Sequence, residues 1–158
     1  MILAADPGSE KTGMAVVEED GSLVIKKVIR TKEFEKEAED LLSSHPVSAF
    51  IMGNGTHHKE IQKRADAVLE KMGLPFRTIL VDEKYTTEMG EQWYWKDHPA
   101  KGLSRLIPKG MRTVPVPIDD YVAWIIGCIY LGKVKAEDVA HKKEYVSFSL
   151  CKKDKINT

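Results

Sequence analysis

The sequence predicts an α/β protein built on a five-stranded mixed sheet, three antiparallel strands and then parallel strands, flanked by helices. Three observations predict it. Three short apolar or alternating runs follow one another directly at the N-terminus, joined only by turn residues. Two compact apolar runs, 47–53 and 76–82, then alternate with segments of helical period. A largely apolar helix closes the pattern, and it begins with two aspartates, Asp119 and Asp120. Strands that first hairpin and then alternate with helices give a sheet that is antiparallel on one side and parallel on the other.

The elements follow in order. Residues 2–6, ILAAD, form a short buried strand that stops at Asp6-Pro7-Gly8, where Pro fixes φ and Asp and Gly favour a turn. Residues 13–18 form the second strand, and Asp20-Gly21 signals a hairpin into the third, 22–30. Phe34, Ala38, Leu41 and Leu42 then recur at helical spacing among acids. Residues 47–53, VSAFIMG, form a compact apolar strand. Residues 57–72 form an amphipathic helix with Ile61, Ala65, Val68, Leu69 and Met72 on one face, Thr56 at its N-cap and Gly73 at its C-cap. Residues 76–82, FRTILVD, form another buried strand. A helix capped by Thr86 or Thr87 runs to about Asp97. From His98 to Pro117 no regular period is present, and a loop of this length inside a compact domain is usually functional. The helix over 119–131 follows, and 144–150, EYVSFSL, has strand character. The expected organisation is one domain over 1–132 with 133–158 as an appendage carrying one extra strand.

Composition excludes several classes. No apolar run has the length of a membrane span, and the N-terminus has neither a basic flank nor a small-residue cleavage site, so a cytoplasmic protein is expected. Cys128 and Cys151 are too few for a disulfide framework or a zinc site. The formal net charge is zero, but the signs are segregated. Residues 33–40 are acidic and read as a solvated helix face. Residues 96–112 carry Lys96, Lys101, Arg105, Lys109 and Arg112 against one acid, Asp97. Such a local patch suits phosphates even without a basic total.

Carboxylates are expected to converge at one end of the sheet. Ligand sites in open α/β sheets lie beyond the carboxyl ends of strands. Asp6 ends the first strand, Asp82 and Glu83 end the fifth, and Asp119 and Asp120 start the last helix. Helix N-termini favour acids, so one member of the last pair has an ordinary capping reading. Several acids gathered without lysine partners repel one another, and a hard cation with oxygen ligands resolves that repulsion. Two such ions about 4 Å apart can activate a water and stabilise the leaving oxygen of a phosphodiester.

The stretches DPGSEKTGMAVV, FIMGNGTHHKE, GLPFRTILVDEKYTTEMGEQ and IDDYVAWIIGCIYL, in this order, resemble the YqgF-type family of RNase H-like nucleases, also described as Holliday junction resolvases. The resemblance runs over roughly residues 2–131. It implies an RNase H-like fold and an acidic trio that matches Asp6, Glu83 and Asp119, with Asp120 as the fallback for the third. It implies Mg²⁺ or Mn²⁺ as cofactor. As substrate it implies structured nucleic acid, either branched DNA or the small-subunit ribosomal RNA precursor, handled by a monomer or a homodimer. Where the family commonly has Arg after the Glu, this chain has Lys84. The segment GNGTHHKE looks more like the YqgF-like domain of Tex-type factors, which suggests a catalytically silent nucleic-acid-binding module as the alternative. An ATP-binding domain of the actin and sugar-kinase type is a third class with a similar first hairpin.

Further candidates accompany this core. Lys11 and Lys84 lie near the acids in sequence, and Lys101, Arg105, Lys109 and Arg112 are placed to track a phosphate backbone. Gly53-Asn54-Gly55-Thr56 offers backbone amides to a phosphate, or is a plain turn. His57 and His58 are adjacent and cannot share a helix face. Of Trp93, Tyr94 and Trp95, two are expected in the core and one at the surface.

Overall fold

The computed structural model describes residues 1–84, 86–108 and 111–134. The expected strand at 144–150, most of the appendage, Cys151 and Lys109 lie outside the described residues.

Three strands open the chain: β1 (Ile2–Asp6), β2 (Lys11–Val17) and β3 (Leu23–Arg30). A 3-10 turn over Thr31–Glu33 leads into α1 (Phe34–Ser44). Then come β4 (Phe50–Gly53), α2 (His58–Lys71), β5 (Thr78–Val81), α3 (Thr86–Asp97), a 3-10 turn over Gly102–Leu106, and α4 (Asp119–Tyr130). The sheet order is β3-β2-β1-β4-β5. β1 pairs antiparallel with β2 and parallel with β4, β2 pairs antiparallel with β3, and β4 pairs parallel with β5. This is the mixed α/β sheet that the order of apolar runs predicted, in the RNase H-like architecture that the family resemblance implied.

β1 is the central strand, which explains its unbroken apolar run. Ile2 and Ala4 face the α3–α4 side, and Leu3 and Ala5 face the α1–α2 side, because successive strand residues point to opposite faces. On the first side Trp93 and Trp124 pack edge to face with centroids 4.6 Å apart. On the second, Phe34 stacks on Phe50 at 6.3 Å. Trp93 and Tyr94 are buried and Trp95 only partly so, as expected of the three aromatics. Cys128 is buried in the first core, and Val134 joins it. The hairpin glycine Gly21 and the C-cap glycines Gly73 and Gly132 all adopt positive φ.

Several expectations need correction. The strand expected over 76–82 is only Thr78–Val81, and it is not buried: Ile79 and Leu80 are 40% and 39% exposed. β5 pairs only with β4, so it is a sheet edge, and its apolar run does not mark an interior strand. β4 is likewise shorter than its apolar run, beginning at Phe50. The N-cap of α2 is His57, not Thr56, with no side-chain cap. The acidic face of α1 is not simply solvated. Arg64 of α2 grips Glu35 with two bonds of 2.5 and 2.6 Å, Lys71 pairs with Glu39 at 2.9 Å, and Lys27 of β3 pairs with Glu37. In the 98–117 stretch the 3-10 turn over Gly102–Leu106 leaves Leu103 and Leu106 84% and 80% exposed. Among the described residues no helix is long and apolar enough to cross a membrane.

Candidate metal and nucleic-acid site

Asp6 stands at the carboxyl end of β1, one residue past the parallel pair Ala5–Met52 and directly opposite Gly13 of β2. The turn that follows is stitched to β2 and to the end of β3. The Gly8 N–H donates to Thr12 Oγ1 at 3.5 Å, and Thr31 Oγ1 donates to the Gly8 carbonyl at 2.8 Å. The two threonine hydroxyls lie 2.9 Å apart. Because Thr31 has already committed its only hydroxyl proton, Thr12 donates to Thr31, and the three bonds close a ring. The Thr31 N–H adds a bond to the Glu10 carbonyl at 2.8 Å. A Cβ on Gly8 would lie 2.2 Å from the Lys11 carbonyl oxygen, so the tight turn demands glycine there.

Asp119 reaches the same place from α4. Its carbonyl oxygen rests on Gly13, where a Cβ would come within 1.8 Å. Asp6 and Asp119 are therefore brought together by one glycine: Asp6 is its partner across the strand pair, and Asp119 lies on its face.

Glu83 arrives from the loop after β5. Its peptide N–H donates to Asn54 Oδ1 at 3.3 Å, while the Asn54 N–H donates to the Val81 carbonyl at 3.1 Å. Its carboxylate lies over the turn between β4 and α2, and among the described residues its buried Oε2 has no hydrogen-bond partner.

The electrostatics tie the three acids together. Burial, then Glu83, then Asp119 push the Asp6 carboxyl up to about 8. Glu83 is raised by burial and by Asp82, against the opposing effect of His58. Asp119 is raised by burial and by Asp120, with Lys11 pulling the other way. Each of the three thus meets an environment that disfavours its charge. No Lys or Arg forms an ion pair with any of them among the described residues.

Asp120 takes a different course. Its Oδ2 is ion-paired to Lys26 of β3 at 2.5 Å, and its Oδ1 accepts the Tyr121 N–H at 2.9 Å. Lys26 also lies 4.0 Å over the Tyr121 ring, whose hydroxyl donates to Asp97 at 2.9 Å. Asp120 is committed to this polar chain, whereas Asp119 has no ion-pair partner among the described residues.

The donor set suits a hard divalent cation. It offers oxygen alone, one buried carboxylate oxygen has no protein partner, and the central acid is held near neutrality only by protonation. The carboxylates are coupled without being closed into a cage: among the described residues no three His, Cys, Asp or Glu side chains are arranged to hold a metal ion. The Glu83 carboxylate rests on Gly53 and Gly55.

The expected phosphate-binding residues divide into groups. Lys11 is exposed and acts on Asp119. Lys84 is exposed beside Glu83, its N–H donating to Asp82 Oδ1 at 3.1 Å. Arg112 donates to the Ile107 carbonyl at 2.9 Å and to the Arg105 carbonyl at 3.3 Å, and Arg105 donates to the Ala100 carbonyl at 3.2 Å. These bonds draw Arg105 and Arg112 into one loop with Lys101, and among the described residues none of the three has a carboxylate partner to cancel its charge. An open cleft of about 570 Å³ is lined by Met111 and Arg112 of this loop, by Thr87 and Glu91 of α3, and by Asp119, the one acid of the three that borders it.

Sequence reasoning did not identify Thr12, Thr31, Gly13 or Lys26 as parts of the site, since their roles depend on strand register. It also read Gly53–Gly55 as a phosphate loop or a plain turn, whereas the turn lies against Glu83. His58 Nδ1 donates to the Gly55 carbonyl at 2.5 Å and binds nothing resembling a zinc site among the described residues.

Comparison with known proteins follows the geometry. The Thermus thermophilus RuvC structure is 14% identical with a TM-score of 0.49, matching 79% of this chain and 88% of that one. T. thermophilus RuvC in complex with a Holliday junction substrate is 16% identical with a TM-score of 0.46, matching 79% and 89%. A ROK family glucokinase from Streptomyces griseus is 17% identical with a TM-score of 0.35, matching 57% of this chain and 35% of that one. No curated protein matches by sequence. The protein-family model of the Tex protein YqgF-like domain matches residues 1–90, more than half of the 158, including Asp6 and Glu83. By that match the chain belongs to the Tex protein YqgF-like domain family.

Proposed function

We propose that this protein is a divalent-metal-dependent endonuclease acting on structured nucleic acid, either branched DNA or folded RNA. One observation carries the reading: burial first, then the charges of Glu83 and Asp119, push Asp6 up to about 8, and among the described residues no Lys or Arg is ion-paired to any of the three acids. A fold gains no stability from three such acids, so their gathering is explained by a ligand of opposite charge. Mg²⁺ or Mn²⁺ held by these three would supply Lewis acidity toward a phosphoryl oxygen and lower the pKa of a water. The chain's own contribution is positioning. Arg112, Lys101 and Arg105 attract the backbone and lead it along the cleft to Asp119, with Lys11 and Lys84 flanking the acids. Lys84 gives a point charge where a bidentate fork would need Arg. The domain we assign is 1–132, with 133–158 as its appendage.

The test is direct. Purified protein with Mg²⁺ or Mn²⁺ is expected to cut a four-way DNA junction or a structured RNA, with no cleavage after chelation and none by Asp6→Asn. Binding of both nucleic acids with no cleavage under either metal would replace this reading with that of a silent binding module.

A further inference from the structure

The turn between β4 and α2 contains two glycines whose missing side chains are occupied by another residue's carboxylate. A Cβ on Gly53 would stand 2.1 Å from Glu83 Oε2, and a Cβ on Gly55 would stand 2.0 Å from Glu83 Oε1. The two positions are not equivalent. A Cβ at Gly53 also meets Ile126 Cδ1 at 2.9 Å, so that glycine serves the core as well. At Gly55 all three nearest atoms belong to the Glu83 carboxylate. Neither glycine has positive φ, so backbone conformation does not require glycine at either place. The open space at Gly55 therefore has one user, Glu83.

The rest of the turn is built to hold that space. Asn54 Oδ1 accepts the Glu83 peptide N–H, and the Asn54 N–H is fixed on Val81, which locks the turn to the end of β5. His58 Nδ1 donates to the Gly55 carbonyl and pins the other end to the start of α2. The carboxylate so placed is not rewarded by the protein: Oε2 is buried and unpartnered among the described residues. A buried, unpaired carboxylate oxygen costs stability, so its placement is not a folding device.

We propose that Gly53-Asn54-Gly55, with His58, is a seat that positions Glu83 for metal binding, and that Gly55 is a positioning residue whose role is to leave room for that carboxylate. This rests on the reading of Glu83 as a metal ligand. The seat holds Glu83 close enough to Asp6 for their charges to interact, without the acids closing into a metal cage among the described residues, so the side chain is at hand when a cation arrives. The two glycines on either side of Asn54 thus act on a protein carboxylate, not on a substrate phosphate.

The test uses Gly55→Ala, Glu83→Ala and the double variant. The added methyl meets only the end of a flexible side chain, so the carboxylate is expected to leave while the fold stays. Without metal, the ¹³C carboxyl resonance of Glu83 is expected to shift in Gly55→Ala, and the melting temperature to stay the same or rise. Calorimetric titration with Mn²⁺ is expected to show at least tenfold weaker binding in Gly55→Ala, and no further loss when Gly55→Ala is added to Glu83→Ala. An unmoved Glu83 resonance overturns the seat. So does a drop in melting temperature that is equal with and without the Glu83 side chain, which would make the turn merely structural. Wild type that fails to bind Mn²⁺ refutes the metal-ligand reading instead, while the resonance still decides whether Gly55 seats the carboxylate.

Discussion

The carbonyl oxygen of Asp119 occupies the space above Gly13, 1.8 Å from where a Cβ would stand, and Gly13 is the strand partner of Asp6. The start of α4 is thereby set against the sheet at the one position that places its first carboxylate beside Asp6. Gly13→Ala cannot be absorbed by a side-chain rotation, because the obstacle is backbone. It is expected to cost about 1–3 kcal/mol, as overpacking does, read by urea unfolding. It is also expected to lower the Asp6 pKa, read by NMR titration, because Asp119 would retreat. Unchanged stability would show that α4 does not rest on this glycine.

The raised acids make stability depend on pH with a definite sign. Asp6 titrates near 3.8 when unfolded and at about 8 when folded. Between these values the folded state holds the extra proton, so stability without metal falls as pH rises, by up to about 1.4 kcal/mol per pH unit per proton. The loss runs from about pH 4 to about pH 8, and the raised Glu83 and Asp119 act in the same direction. Asp6→Asn is expected to flatten this slope and to be more stable than wild type at pH 8. Excess Mg²⁺ is expected to flatten it too, by favouring the ionised form. Urea midpoints across that range, with and without Mg²⁺, check both; a wild-type midpoint that rises toward pH 8 without metal contradicts the assignment.

Asp119 and Asp120 are adjacent in sequence and opposite in consequence. Asp120→Asn leaves Lys26 without its partner in a partly buried pair, with side-chain exposures of 23% and 14%. It is expected to destabilise by about 1 kcal/mol and to keep Mn²⁺ affinity. Asp119→Asn removes a carboxylate that the fold does not pair. It is expected to leave stability unchanged or raised and to lose Mn²⁺ affinity. Paired melting curves and Mn²⁺ titrations of the two variants separate the roles, and equal loss of Mn²⁺ by both would return Asp120 to the site.

What the sequence could and could not convey follows from range. The strand–helix order was legible because β1 and α4 are continuous apolar runs and α2 carries a strong helical period, and Asp6 and Glu83 were legible as strand-end carboxylates. Ile79 and Leu80 misled because an apolar run does not say whether a strand has one neighbour or two; only the sheet order makes β5 an edge. What sets Asp120 apart from Asp119 is its pairing with Lys26, 94 residues away in sequence. The acids of α1 found their cations on β3 and α2, which no local reading could assign. Gly55 kept its purpose hidden for the same reason: what it makes room for arrives 28 positions later.

The loop cations give the last prediction, which separates binding from metal chemistry. Lys101 and Arg105 are exposed, and Arg112 lines the same cleft as Asp119, its guanidinium held by the Ile107 and Arg105 carbonyls. Carbonyls orient that group without neutralising it, so its charge remains available to a phosphate. Replacing all three by Ala is expected to weaken nucleic-acid binding and to reduce the slope of log affinity against log salt. The reduction is about 0.9 per lost contact on duplex DNA and about 0.7 on a single strand. Three lost contacts therefore reduce the slope by about 2 to 3, and the size of the change reports which form lies on the loop. Mn²⁺ binding at the acids is expected to be unaffected. Arg112→Ala alone is expected to do more than either neighbour, because its bond to the Arg105 carbonyl also fixes the loop. Fluorescence anisotropy over a salt series measures all of this. A triple variant with the wild-type slope would show that the backbone runs elsewhere, and would leave Lys11 and Lys84 as the phosphate contacts.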